Sequence, residues 1–180
     1  MTTVLVPLAD GVEEIEAVIP IDMFRRAGWM VVSAGMTGEI IRASRDVRLV
    51  ADKLWKDIVP SSFDILLLPG GSKGTEFLAA SNAIIESVTN FFNEDKIVAA
   101  ICAAPLILQK AGIMKGKKAT CHPAVRKDLN IPQYVEAPVV VDGKIVTSMG
   151  AGTAFEFSLT IIEMVDGSAK ADEVASGIVL

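Results

Sequence analysis

Cys102 is the side chain in this sequence with the clearest potential for covalent chemistry. It lies in the run 96–110, where a short apolar strand pattern passes directly into a helix pattern. A sharp turn there would push the thiol out of the sheet edge, and the partial positive charge of the helix N-terminus favours the thiolate. Ala100 and Ala104 are small enough for such an elbow. We interpret Cys102 as a candidate nucleophile, with a buried structural cysteine as the alternative.

Glu16 is the candidate partner of this thiol. At helical spacing it falls within an apolar stripe made by Val12, Ile15, Ile19 and Met23. The two glutamates before it point elsewhere and suit the dipole of a helix N-terminus. A carboxylate among apolar side chains costs free energy unless it is paired or protonated. A protonated Glu16 could donate a hydrogen bond to sulfur and carry protons during a reaction.

His122 is the single histidine of the chain, so a cysteine enzyme that needs an imidazole base has no other choice here. Its neighbour Cys121 is typical of a small buried residue at a strand end. Cys102, Cys121, His122 and Glu16 could be combined into a metal site, but no C-x-x-C or H-x-x-x-H spacing supports one. We therefore expect neither a metal nor a cofactor.

Two glycines follow the apolar run 66–69 and could line the same site. Gly70 and Gly71 allow a backbone N–H to approach a reacting oxygen closely, although a plain tight turn is the alternative. The run 70–75 departs from the phosphate-loop order, and the run 150–155 departs from the dinucleotide-binding glycine pattern. The sequence therefore offers no nucleotide-binding motif.

Composition excludes several classes of protein. The 180 residues are 51% hydrophobic, which predicts one domain, over 1–180, with a large core. A net charge of −5 without a cluster of basic and aromatic residues disfavours nucleic-acid binding. The apolar run 97–108 contains Pro105 and is shorter than the roughly 18 residues of a membrane span. The N-terminus lacks a basic signal-peptide region, so we expect a cytoplasmic protein with reduced cysteines.

Apolar runs alternate with amphipathic segments along the chain, which predicts an α/β sandwich with a mostly parallel sheet. The strand predictions are 4–8, 30–34, 65–68, 97–101 and 145–148, with shorter strands or hairpin arms over 46–52 and 138–143. The helix predictions are 12–27, ending at Gly28, then 82–93, 153–165 and 169–178, and a helix directly after Cys102. Ligands bind at the carboxyl ends of parallel strands, so the turn 11–16, the loop 69–71 and the Cys102 elbow are expected to meet.

Six motifs in this order and spacing resemble the ThiJ/PfpI superfamily, and most closely its branch of the human parkinsonism-linked protein deglycase. They are Glu-Glu-Ile-Glu-Ala-Val-Ile-Pro at 13–20, Arg-Arg-Ala-Gly at 25–28, Ser-Arg-Asp-Val at 44–47, Leu-Pro-Gly-Gly at 68–71, Ala-Ala-Ile-Cys-Ala-Ala-Pro at 99–105, and Gly-x-Gly-Thr at 150–153 followed by Phe-Glu-Phe at 155–157. The resemblance implies a flavodoxin-like three-layer sandwich that dimerises and carries a nucleophile elbow.

The resemblance also implies roles for particular residues. Cys102 would be the reactive cysteine, Glu16 the protonated partner of its thiolate, and His122 the histidine near the cysteine. The N–H groups of Gly71 and Ala103 would bind the substrate oxygen. An ion pair across the dimer interface would fall on Asp22 and Arg45, and such a pair marks an interface better than it measures its strength.

Three positions depart from the resemblance. Ala103 follows the cysteine where the protease-like branch has histidine, which disfavours peptidase activity. Ala151 lies between Gly150 and Gly152, where close relatives often have proline, and this could loosen one wall of the pocket. Cys121 is also outside the expected pattern, either as a resolving thiol or without a role.

The leading hypothesis implied by the resemblance is a cofactor-independent glyoxalase of the glyoxalase III type, with protein deglycase action on methylglyoxal and glyoxal adducts. The alternative is an oxidative-stress sensor or redox-regulated chaperone in which Cys102 is oxidised beside a neutral Glu16. A third hypothesis, a thiamine-pathway enzyme acting on thiazole phosphate, lacks a phosphate-binding motif in this sequence.

Overall fold

A computed structural model describes residues 1–130 and 133–180, and within them the chain forms eleven strands and six α-helices. The strands are β1 (Thr3–Leu8), β2 (Met30–Gly35), β3 (Ile40–Arg42), β4 (Arg48–Val50), β5 (Lys53–Leu54), β6 (Ile65–Leu68), β7 (Ile97–Ile101), β8 (Lys118–Ala119), β9 (Gln133–Tyr134), β10 (Val139–Asp142) and β11 (Ile145–Ser148). The helices are α1 (Glu14–Arg26), α2 (Ser72–Ala80), α3 (Asn82–Asn93), α4 (Pro105–Lys110), α5 (Ala154–Asp166) and α6 (Ser168–Gly177).

A central sheet has the strand order β10-β11-β7-β6-β1-β2-β5. Its strands pair in parallel except at one edge, where β10 runs antiparallel to β11. Strands β1, β6 and β7 lie in the middle of the sheet and are almost entirely buried, which explains their continuous apolar sequences. The carboxyl ends of these three strands therefore open at the same edge.

Alternate side chains of the central strands pack against different helical layers. Val4, Val6 and Leu67 point into a core shared with α1, α5 and α6, whereas Leu66 and Leu68 point into a core shared with α2, α3 and α4. This alternation is the two-residue period of a strand, with both faces covered. The predicted three-layer α/β sandwich is confirmed.

The sequence predicted the longer elements well. Helix α3 has the predicted bounds, α5 and α6 agree to within one residue at each end, and Gly28 follows α1 with a φ of +85°. The predicted apolar stripe of α1 is partly wrong, because Ile15 is exposed while the buried face includes Ala17 and Phe24 beside Glu16. Burial of Glu16 itself is confirmed.

Helix α2 has no counterpart among the predicted elements, and it contains Gly74, a residue that is unfavourable inside a helix. In the fold, a Cβ at Gly74 would lie 2.8 Å from the backbone nitrogen of Val12, so the glycine lets α2 pack closely on the loop before α1. The shorter strand or hairpin arm predicted over 46–52 is β4, which forms a hairpin with β3.

Within residues 1–130 and 133–180, no helix has both the length and the apolar character that crossing a bilayer requires.

Candidate active site

Cys102 follows β7 directly and has a φ of +66°, a backbone conformation that non-glycine residues seldom adopt. Its N–H donates to the carbonyl of Ser148 at 2.9 Å, and its carbonyl accepts from the N–H of His122 at 2.8 Å. These bonds hold the strained turn between the end of β11 and the loop after β8. The predicted elbow is present, and the half-buried thiol lies at the sheet edge.

Glu16 is buried, with 1% of its surface exposed, and its Oε2 accepts from the N–H of Gly70 at 3.0 Å. Burial is the main cause that raises the pKa of Glu16, to about 7, and the negative charge of Glu13 adds to it. Hydrogen bonds from Cys102, Gly70 and Ala151 oppose this rise. The carboxyl group therefore gains and loses a proton near neutral pH, which suits an acid and base.

The thiol of Cys102 is hydrogen-bonded to Glu16, and its pKa is raised to about 12. Burial is the largest cause, followed by the charge of Glu16 and the hydrogen bond to it, while the N–H groups of Gly71 and Ala103 lower the pKa. This direction is opposite to the one expected from the helix terminus, because burial of the thiol and the carboxylate next to it outweigh the field of a short helix. Cys102 and Glu16 therefore act as a pair that shares a proton.

The N–H groups of Gly71 and Ala103 are both directed at the sulfur of Cys102. A substrate oxygen on the carbon that the sulfur attacks would lie within reach of the same donors. Gly70 differs from the prediction, because its N–H is bound to Glu16 and is not free for a substrate. A Cβ at Gly70 would lie 2.5 Å from Oε2 of Glu16 and 2.7 Å from the Cβ of Cys102, so glycine lets the pair come together.

Adding a single methyl group at Gly71 should lower the free energy of unfolding by a large amount. Its φ is +88°, and a Cβ there would collide with the carbonyl oxygen of Gly11 and lie 2.5 Å from the nitrogen of Glu13. Gly28 is a matched control, since its φ is +85° but a Cβ there meets nothing within 4 Å.

Gly28→Ala should therefore cost about 1 kcal/mol, from the positive φ alone, and Gly71→Ala about 3 kcal/mol or more, from φ and overlap with backbone. Urea unfolding followed by circular dichroism measures both. Equal losses of unfolding free energy in the two variants would contradict the close packing at Gly71.

His122 lies on the rim of the site and is exposed. Its Nδ1 accepts from the N–H of Ala124 at 3.2 Å, so the neutral ring carries its proton on Nε2. A Cβ at Gly150 would lie 3.3 Å from Cδ2 of His122 and 3.8 Å from Oε1 of Glu16, which places the imidazole beside the carboxyl group. In this tautomer Nε2 is a hydrogen-bond donor, and the role of His122 in proton transfer or substrate positioning stays a prediction.

The pair opens into a cleft of about 850 Å³. The turn 11–16, the Gly71 loop and the Cys102 elbow all line it, as expected for the carboxyl ends of β1, β6 and β7. Charged side chains of both signs form the outer part: Asp10, Glu13, Arg42, Arg45, Asp46 and Lys73. A small polar molecule can therefore reach the thiol, and a larger one has room and charge around it.

The two residues predicted at a dimer interface lie apart within the chain. Oδ2 of Asp22 accepts from Nε of Arg26 at 2.6 Å, one helical turn away. Arg45 lines the cleft, and its guanidinium donates to the carbonyl of Ser44 at 3.3 Å. An ion pair between Asp22 and Arg45 of two protomers stays a prediction.

Cys121 is fully buried and does not line the cleft. Among residues 1–130 and 133–180, no group of three or more histidine, cysteine, aspartate or glutamate side chains is arranged to hold a metal ion.

Two groups that contact Glu16 were not predicted from the sequence. Glu13 is the N-cap of α1, and the N–H of Ala151 is hydrogen-bonded to the Glu16 carboxyl group. For Glu13 the sequence signal is a glutamate three residues before a buried acid. This signal is weak, because glutamate is not a preferred N-cap residue. No sequence signal identifies the backbone N–H of Ala151 as a hydrogen-bond donor to Glu16.

The fold and the elbow define a class of flavodoxin-like α/β sandwiches with a cysteine at a strand-to-helix turn. The sequence model of the DJ-1/PfpI family matches residues 2–164, and the chain belongs to the DJ-1/PfpI family. The resemblance inferred from the six motifs is thereby confirmed.

Three relatives match over nearly their whole lengths. Protein dj-1beta of Drosophila melanogaster is 40% identical over 98% of this chain and 96% of its own, and its crystal structure superposes with a TM-score of 0.95, covering 99% of this chain and 98% of that one. The Parkinson disease protein 7 homolog of Danio rerio is 40% identical over 98% and 96% of the two chains. The glutathione-independent glyoxalase DJR-1.2 of Caenorhabditis elegans is 34% identical over 95% and 91%.

Proposed function

We propose that this protein is a glutathione-independent glyoxalase that converts methylglyoxal to lactate, and glyoxal to glycolate, without a cofactor. The observation that carries the proposal is the hydrogen-bonded pair of Cys102 and Glu16 at the floor of an open cleft. A relative of the same family named as a glutathione-independent glyoxalase supports it.

The first step is addition of the Cys102 sulfur to the aldehyde carbon. The S–C bond forms as the thiol proton passes to the Glu16 carboxylate, so the raised pKa of the thiol is no obstacle. The aldehyde oxygen gains the electron pair of its π bond and accepts hydrogen bonds from the N–H groups of Gly71 and Ala103. Glu16 then returns the proton to this oxygen, which leaves a hemithioacetal and a free carboxylate.

The second step is an internal oxidation and reduction. The Glu16 carboxylate removes the proton from C1, and an enediolate forms as the C–H electron pair moves into the C1–C2 bond. Glu16 then donates that proton to C2, and the hydroxyl proton of O1 passes to O2. C1 is now a thioester carbonyl and C2 carries a hydroxyl group, so no external oxidant or reductant is consumed.

Water completes the reaction by attacking the thioester carbonyl. The C–S bond breaks, lactate leaves, and the sulfur regains a proton from the water through Glu16. His122 assists as a donor from Nε2 to an oxygen of the substrate, consistent with the hydrogen bond that occupies its Nδ1. The sum is methylglyoxal plus water to lactic acid.

The size of the cleft supports a second class of substrate in the same reaction. A volume of about 850 Å³ with charged side chains around it is much larger than a three-carbon aldehyde needs. Early adducts of methylglyoxal on amino acids or proteins fit this space, so we extend the proposal to protein deglycase action.

The sensor alternative uses the same thiol in another way. Peroxide reacts with thiolates, and the burial and the neighbouring carboxylate that raise the pKa of Cys102 weigh against its ready oxidation. In the glyoxalase reaction Glu16 removes the thiol proton of Cys102 as the S–C bond forms. We therefore favour the glyoxalase over an oxidative-stress sensor and over a redox-regulated chaperone.

We further propose that the protein acts as a homodimer in the cytoplasm, where cysteines stay reduced. Arg45 lines the cleft, so a partner protomer bound at Asp22 and Arg45 would lie next to each active site.

Reduced wild-type protein mixed with methylglyoxal, with no glutathione added, is expected to form lactate in proportion to protein concentration. Enzymatic lactate assay after quenching measures it, and protein alkylated with iodoacetamide is the control that should be inactive. Two results together would favour the sensor hypothesis over the glyoxalase hypothesis. They are the absence of lactate and a gain of two oxygens on Cys102 in mild peroxide, measured by mass spectrometry.

A further inference from the structure

We propose that Glu13 is a positioning residue of the site: its carboxylate holds the backbone of Glu16, and its negative charge pushes the shared proton of the Cys102–Glu16 pair towards Glu16. This inference deepens the proposed function, because it concerns how the acid and base of that reaction is prepared. Neither the sequence motifs nor the named activities of the relatives assign such a role to this residue.

Glu13 is joined to Glu16 by side chain and by backbone. Its Oε2 accepts from the N–H of Ile15 at 2.9 Å and from the N–H of Glu16 at 3.4 Å, as the N-cap of α1. Its own N–H donates to the carbonyl of Gly70 at 3.1 Å, and the N–H of Gly70 donates to Oε2 of Glu16 at 3.0 Å. These bonds form a closed ring that fixes both the start of the helix and the Glu16 carboxyl group.

The same ring holds the donor that faces the sulfur. A Cβ at Gly71 would lie 2.5 Å from the nitrogen of Glu13, so the backbone of Gly71 rests on that of Glu13. The N–H of Gly71 points at Cys102. Movement of Glu13 would therefore displace the acid and the oxyanion donor together.

The charge of Glu13 has no counter-ion within the part of the chain that the structure describes, where none of the ion pairs includes it. The titratable groups that face Glu16 are Glu13 at the N-cap of α1, Cys102 on the elbow and His122 on the loop after β8. Arg45, between β3 and β4, and Lys73 on α2 also line the cleft, but the charged side chain with the largest effect on the pKa of Glu16 is Glu13. The charge of Glu13 therefore acts on the pair through the Glu16 carboxyl group.

The expected effect of the Glu13 charge on the Cys102–Glu16 pair follows from electrostatics. A negative charge near Glu16 disfavours its carboxylate, so the charge raises the pKa of Glu16 and supports the form in which Glu16 is protonated and Cys102 is a thiolate. Without that charge the proton would lie more on sulfur, and Cys102 would react more slowly at neutral pH.

The test follows the side-chain carboxyl carbon of Glu16 by NMR in protein labelled with ¹³C-glutamate, with Glu16→Gln identifying the signal. Glu13→Gln removes the charge but keeps an oxygen that can cap the helix, and Glu13→Ser removes it while placing a preferred N-cap residue there. Glu13→Asp keeps both charge and cap. Glu14→Gln is the matched control, because that carboxylate binds the hydroxyl of Ser44 and the N–H of Arg45 instead.

We expect the Glu16 titration midpoint to fall by on the order of one pH unit in Glu13→Gln and Glu13→Ser. Glu13→Asp and Glu14→Gln should keep the wild-type midpoint. Alkylation of Cys102 by iodoacetamide at pH 7 should slow several-fold in the two uncharged variants only.

An unchanged midpoint in Glu13→Gln and Glu13→Ser would overturn the proposal and leave Glu13 as a helix cap only. An equal fall in Glu14→Gln would also overturn it, since the effect would then be that of net charge. Neither measurement uses an aldehyde, so a protein that forms no lactate would refute the glyoxalase while this result still decides the role of Glu13.

Discussion

Replacing Cys102 with serine is expected to reduce lactate formation from methylglyoxal by at least about a thousandfold, to near the uncatalysed background. A serine hydroxyl ionises far less readily than a thiol, and Glu16, with a pKa of about 7, is too weak a base to assist it. The oxygen would also form a hemiacetal that cannot become a reactive thioester. Initial rates at several substrate concentrations measure the loss in kcat.

Cys121→Ser is the matched control for this substitution. Cys121 is fully buried outside the cleft, so its loss should lower stability slightly and leave kcat within about twofold of wild type. Circular dichroism of both variants establishes that they are folded. Lactate formation by folded Cys102→Ser at more than a tenth of the wild-type rate would exclude Cys102 as the nucleophile.

Glu16→Gln is expected to lower kcat by about a hundredfold to ten-thousandfold, the contribution of a positioned acid and base. The amide has nearly the same shape, and its oxygen can still accept from the N–H of Gly70. It cannot take the thiol proton or move a proton from C1 to C2. Lactate assays from pH 5 to 9 measure the effect: the wild type is expected to have an acid limb near pH 7, and the variant should lack it.

The same substitution should stabilise the fold at alkaline pH. Burial raises the folded-state pKa of Glu16 from 4.5 to about 7, so between these values the native state binds more protons than the unfolded state. The contribution of Glu16 to stability is therefore greatest below pH 4.5, falls as the pH rises, and is lost above 7. The difference in unfolding free energy between Glu16→Gln and wild type should grow by about 2.5 kcal/mol from pH 5 to 8.

Urea unfolding at matched pH values measures this difference. A constant difference from pH 5 to 8 would show that Glu16 does not titrate in the folded protein. A kcat in Glu16→Gln equal to that of wild type would remove Glu16 from the reaction, whatever its effect on stability.

The order of elements was accessible from sequence because it depends on local patterns. The buried strands β1, β6 and β7 are continuous apolar runs, and α3 shows a clear helical period, so periodicity predicts both. Cys102 and Glu16 were identified for a related reason. A thiol at a strand-to-helix turn and an acid on an apolar face are each unfavourable locally, and such conflicts often mark a site.

Tertiary structure alone decided how these residues act. Helix α2 forms around Gly74 because that glycine packs on the loop before α1, which no local propensity predicts. The N–H of Gly70 is bound to Glu16, and the N–H of Gly71 faces the sulfur, although the two glycines are adjacent and equivalent in sequence.

The protonation state of the Cys102–Glu16 pair is the most important property that the tertiary structure determines. Sequence reasoning placed a helix N-terminus behind Cys102 and expected a thiolate, whereas the fold buries a carboxyl group against the sulfur and shifts both pKa values upward. Burial and the distance between charges are properties of the packed chain, and they outweigh the field of one short helix. The residues that carry the chemistry were therefore evident in the sequence, and the location of their shared proton was set by packing.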